Sequence, residues 1–125
     1  MSKKLERAMD IHEEAMDFSG KAQAAQIKGE EGDTLAFFRK AFKLEKEAAM
    51  LLKDEKVELI TRAVLFRSAA VLALDCGEIS EAEKLISFGL SGKVPPQIAD
   101  ELQDLKKDVE FERREELRKI NLLPG

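Results

Sequence analysis

Apolar residues recur along this chain three and four positions apart, and the interruptions of that rhythm divide it into five helices. The first runs from about Lys3 to Lys28, with Leu5, Ala8, Met9, His12, Ala15, Met16, Phe18, Ala22 and Ala25 in helical period. Gly29-Glu30-Glu31-Gly32 breaks it, and Asp33 or Thr34 is the expected cap of a second helix ending near Leu52. Leu35, Phe38, Ala41, Phe42, Ala48, Ala49 and Leu52 are its expected inward residues, with Phe37 a second aromatic near its start. After the polar stretch Lys53-Asp54-Glu55-Lys56 comes a third helix, about Glu58 to Cys76, that is apolar on most of its circumference. A helix of that kind needs neighbours on several sides, so it belongs at the centre.

Gly77 can adopt φ > 0 and end that helix. Ser80 is the expected N-cap of the fourth helix, which runs to about Leu90. The fifth starts near Pro96 or Gln97 and carries one stripe, Ile98, Leu102, Leu105, Val109, Leu117 and Ile120, opposite a charged face. A single stripe suits a covering helix at the edge of the fold. The closing Asn121-Leu122-Leu123-Pro124-Gly125 is apolar and could dock on the core or on a partner.

Composition agrees with an all-α chain. Ala, Leu, Glu and Lys dominate, Trp and Tyr are absent, and no alternating strand pattern occurs. The 125 residues suffice for one domain with a core of its own. The 21 lysines and arginines are interspersed among 25 acids, for a net charge of −4, which argues against a nucleic-acid surface. No apolar run approaches the ~20 residues of a membrane span, and no signal-peptide pattern follows the N-terminal charges. With Cys76 as the single cysteine there is no internal disulfide, and a reducing, cytoplasmic setting is expected.

The two halves of the chain match at a constant spacing of 48 residues: Phe18 with Phe66, Ala22 with Ala70, Ala25 with Ala73, Gly29 with Gly77, Phe38 with Ile86, Ala41 with Gly89. Repetition of a helical hairpin is the sequence sign of a stacked array. At Phe66, Ala70, Ala73, Gly77, Ala82, Ile86 and Gly89, and in the turn Gly77-Glu78-Ile79-Ser80-Glu81-Ala82, the chain resembles the tetratricopeptide-repeat family. The first copy fits less closely, with Thr34 where a small alanine is usual. The whole chain also resembles small bacterial proteins of no assigned activity, which adds no mechanism. The family's repeat is 34 residues, so this one is longer by about four helical turns. That points to a compact five-helix antiparallel array: one hairpin over about 3–52, a second over about 58–90, and a capping helix over about 96–120.

The resemblance implies a protein-interaction module without enzymatic activity. In the family, peptides lie along the inner surface of each repeat's first helix. The matching positions here are Met16, Ser19, Gln23 and Gln26 in the first copy, and Val64, Arg67, Val71, Leu74 and Asp75 in the second. The lysines and asparagines that hold a C-terminal carboxylate are absent, so the expected partner is an apolar peptide, an amphipathic helix or another copy of the chain. Helix five is the internal competitor for the same surface.

Chemistry-bearing motifs are few. His12 is the single histidine, with no second ligand at metal spacing, so no metal and no cofactor are expected, and a plain helix-face histidine is the ordinary reading. Arg7 and His12 have the spacing of an arginine–histidine pair in some helical ribonucleases, which leaves a hydrolase or nuclease as the alternative, although residues five apart do not share a helix face. Cys76, at a helix C-terminus, is expected to be a buried small residue with a raised thiol pKa. A homodimer held by Phe37 and the apolar tail is the third reading.

Overall fold

The computed structural model describes residues 2–121, all five elements being helical: α1 (Lys3–Ile27), α2 (Glu31–Leu51), α3 (Leu59–Asp75), α4 (Ile79–Leu90) and α5 (Pro96–Lys119). The apolar tail from 122 onward lies outside the described residues. Among the described residues no helix is long and apolar enough to cross a membrane.

The first hairpin is antiparallel. Phe18 stacks on Phe37 near the turn, His12 meets Glu45 further along, and Lys4 reaches Glu55 at the open end. The second repeats the arrangement, with Phe66 against Phe88 and Arg62 bonded to Ser91. The α2 helix packs on α3, joining the hairpins, and α5 packs on both α3 and α4. Three of the other four helices therefore surround α3. Ala63, Leu65, Phe66, Ala69, Ala70, Leu72 and Ala73 are buried in it, as its apolar circumference requires. Two of its apolar residues, Ile60 and Val71, nevertheless face solvent.

The two hairpin turns are the same structure. Gly29 and Gly77 have φ of 77° and 74°, in the left-handed region that glycine enters without steric cost. The Glu30 N–H donates to the Ala25 carbonyl at 3.0 Å and the Gly29 N–H to Gln26 at 3.1 Å. Glu78 donates to Ala73 at 2.8 Å and Gly77 to Leu74 at 3.0 Å. Each set is a Schellman motif, which satisfies carbonyls left over at a helix C-terminus.

The same residues also begin the following helix, and this corrects the expected caps. The carbonyls of Glu30 and Glu78 accept from Thr34 N–H at 2.9 Å and Ala82 N–H at 3.0 Å. So α2 starts at Glu31 and α4 at Ile79, and neither Asp33, Thr34 nor Ser80 is an N-cap. The Thr34 hydroxyl instead donates back to the Glu30 carbonyl at 2.8 Å. The turn is too short to leave room for a separate capping residue.

The matched positions share roles in packing. Ala22, Ala70 and Ala73 are fully buried and Ala25 nearly so, and small side chains let the helices approach closely. Phe38 and Ile86 are both buried. Gly89, the counterpart of Ala41 in the 48-residue match, marks a close approach of three helices. A Cβ there would lie 3.0 Å from Leu102 Cδ1 and 3.1 Å from Phe66 Cβ. Gly89→Ala gains roughly 1 kcal/mol of helix propensity. It also forces apart α4 and α5 and presses on an atom fixed to the α3 backbone, and overpacking of that kind costs roughly 1–3 kcal/mol. The net expectation is a loss of about 1 kcal/mol, read as a lower urea midpoint at unchanged slope.

A buried arginine closes the other end of the second hairpin. Arg62 donates through Nε to the Lys53 carbonyl at 2.8 Å and through Nη2 to Ser91 Oγ at 3.1 Å, and its guanidinium lies 4.9 Å from the Phe66 ring centroid. It thereby fastens the chain leaving α2 to the end of α4. Burial lowers its pKa, with Asp54 acting in the opposite sense.

Candidate functional site

The surface of α3 beside α5 carries a run of adjoining depressions that share lining residues. The α5 helix runs parallel to α3 beside it: Arg67 meets Glu101, Val71 shares a cavity with Leu105, and Leu74 shares the next with Phe111. The central cavity, about 390 Å³, is lined by Val71, Leu74, Asp75, Leu105, Asp108, Phe111 and Glu112. At one end it continues, through Val71 and Leu105, into a space bounded by Arg67, Glu101 and Asp104. At the other it continues, through Asp75, into a cavity of about 400 Å³ bounded by Gln26, Gly29, Glu31, Thr34, Leu35 and Phe38 at the first turn.

Four of the five expected positions on α3 lie in this furrow: Arg67, Val71, Leu74 and Asp75. The fifth, Val64, is half-buried against the core. From α1 the furrow takes Gln26 alone. Met16, Ser19 and Gln23 line no part of it, and α1 and α3 are not among the helix pairs that pack closely. The expected groove along the inner faces of α1 and α3 together is thus replaced by one between α3 and α5. The reason is register. The long α1 spends its packing surface on α2, whereas α5 follows α4 through a short connection and is laid against α3.

Helix five therefore fills part of the expected surface without closing it. Leu102 and Val109 on its stripe are buried, and Leu105 is half-buried at the furrow edge. Phe111 lies off that stripe and is 60% exposed. An aromatic on the charged face of an otherwise well-patterned helix was the available signal for it. Ile120, expected to face inward, is exposed because the far end of α5 outruns the core. Leu35 and Met16 are likewise at the surface.

Asp75 is exposed at the furrow edge, and partial desolvation there raises its carboxyl pKa. The neighbouring Cys76 is half-buried. Burial first, then Asp75, pushes its thiol up to about 11, with Arg39 opposing and Glu78 adding. The thiol is protonated at neutral pH.

His12 is not a plain helix-face histidine. Its Nδ1 lies 2.9 Å from both carboxylate oxygens of Glu45, whose side chain is 0% exposed. Glu45 stands among the inward alanines of α2, and no spacing rule marks it as the partner of a residue 33 positions away. Arg7 does not join this pair. It lies at the surface, 3.9 Å from Glu47. Neither Arg7 nor His12 lines the furrow or the other main cavities. Among the described residues no three His, Cys, Asp or Glu side chains are placed to hold a metal ion. Phe37, expected at a dimer contact, is half-buried in its stack with Phe18, ring centroids 6.3 Å apart.

No family model matches the chain, and no curated protein or solved structure is detectably similar to it.

Proposed function

We propose that this chain is a non-enzymatic protein-interaction module, built on tetratricopeptide-like hairpins, that docks a segment of another protein in the furrow between α3 and α5. The observation that carries the reading is the placement of Val71 and Phe111. Both are exposed, both line the same cavity, and they stand on two different helices that share a buried core. Large apolar side chains gathered in a concavity lose water on contact with a partner, at roughly 25 cal/mol per Å². The repeated Schellman turns and the parallel run of α5 beside α3 support the likeness to a helical array, in which successive first helices line the binding surface.

Val71→Asp and Phe111→Asp test the reading in pull-downs. Both sites are at the surface, so the variants should fold. Each is expected to reduce recovery of a partner at least about tenfold, corresponding to roughly 1.4 kcal/mol. Ile60→Asp, an exposed apolar site on α3 outside the furrow, should leave recovery unchanged. Equal recovery with all three folded variants would remove the proposal.

A further inference from the structure

The furrow carries a charge pattern that the chain as a whole does not. Lysines and arginines nearly balance acids over the full sequence, 21 against 25. Along the furrow, however, Asp75, Asp108 and Glu112 line the central cavity, Glu101 and Asp104 one extension, and Glu31 the other. The single cation among all these lining residues is Arg67, and Glu101 already engages it. An apolar floor with an acidic rim is complementary to an apolar stripe flanked by lysine or arginine.

The geometry points to one occupant: a basic amphipathic helical segment of a partner protein, about two to three turns long. This rests on the docking reading above and adds the chemistry of the partner. The length follows from the walls. The furrow spans Arg67 to Asp75 on α3, ~12 Å at 1.5 Å per residue, and Glu101 to Glu112 on α5, ~16 Å. A helix is favoured over a strand because both walls are helices. Their backbone groups are bonded internally, so no free edge exists for an added strand, and side-chain ridges must do the recognising. The partner's apolar residues would meet Val71, Leu74, Leu105 and Phe111, and its cations would face Asp75, Asp108 and Glu112. A second copy of this chain is the poorer occupant, because its own net charge of −4 would set an acidic surface against the acidic rim.

The probe is a fluorescein-labelled 14-residue amphipathic peptide of leucine and lysine, compared by anisotropy with its scrambled isomer and with a leucine–glutamate counterpart. The leucine–lysine peptide should bind at least tenfold more tightly than either control. Phe111→Ala should weaken it at least tenfold, and so should the double change Asp108→Lys with Glu112→Lys. Glu13→Lys with Glu14→Lys, on an exposed stretch of α1 away from the furrow, should change affinity less than twofold. Circular dichroism verifies that each variant is folded. Equal binding of the scrambled isomer, or equal weakening by the α1 reversal, would mean unspecific charge attraction and overturn the inference. Binding of the leucine–glutamate peptide at Phe111 would overturn the charge assignment and leave the docking reading standing. A dimer in sedimentation velocity that Phe111→Ala dissociates would make the occupant a second copy. A monomer that binds none of the peptides would overturn the inference, and the pull-down with Val71→Asp and Phe111→Asp would then decide the docking reading on its own.

Discussion

Phe66→Ala is expected to lower the unfolding free energy by about 4 kcal/mol, the largest effect of any single truncation in this chain. The ring is fully buried in the central helix. It packs on Phe88 at 5.8 Å between centroids, lies under the Arg62 guanidinium, and has its Cβ against the site where α4 passes closest. Truncation removes the transfer energy of the ring and leaves a cavity bounded by three helices. Those helices are held by their own contacts and cannot collapse into the gap, which keeps the loss away from the lower end of the usual range. The equivalent residue of the first hairpin is the control. Phe18 is half-buried, stacked on Phe37 with Lys21 and Lys40 over its ring, and Phe18→Ala should cost about half as much. Urea unfolding of both variants at matched slope measures the difference. Equal losses would mean that α3 is no more enclosed than α1.

The second large effect is expected at the His12–Glu45 pair. His12→Ala should cost about 3 kcal/mol, because it leaves a carboxylate at 0% exposure without its one side-chain partner. Hydrogen bonding explains why the pair exists. Both Glu45 oxygens lie within 2.9 Å of Nδ1, so the ring N–H donates to an acceptor that the α1–α2 interface otherwise seals from water. Removing both polar groups should be far milder than removing one. The double variant His12→Leu with Glu45→Met replaces the pair by apolar residues of similar size, and its stability should return to within about 1 kcal/mol of the parent or exceed it. A double-mutant cycle from denaturant midpoints gives the coupling directly. If His12→Ala alone proved neutral, the Glu45 side chain would have to be reached by water, and the pair would have no structural weight. The furrow should be unaffected in either case, since neither residue touches it.

How the fold could be read beforehand depends on the range of the interactions involved. Helix periodicity and the two glycine turns are local properties. Gly29 and Gly77 are set at φ > 0 by a steric rule that acts within one residue, and the Schellman bonds close over six. The 48-residue spacing between them was therefore visible, as were the alanines that let α1 meet α2 and α3 meet α4. The apolar circumference of α3 announced several neighbours, and α2, α4 and α5 supply them. The starts of α1, α3 and α5 fall where the pattern puts them, but the caps of α2 and α4 lie two residues or more earlier than expected, because a polar residue shortly after a glycine looks the same whether it caps a new helix or already belongs to it.

Chain connectivity and local residue preferences account for five helices, their breaks, two alike hairpins and a buried third helix. They are silent on distant partners. Glu45 reads as one more surface glutamate until α1 is laid against α2 and His12 arrives at its carboxylate. Phe111, Asp108 and Glu112 read as a solvated face until α5 comes to rest parallel to α3. Side chains far apart in sequence acquire a shared dielectric, a shared cavity and a shared charge pattern when packing brings them within a few ångströms, and no pattern along the chain encodes that meeting.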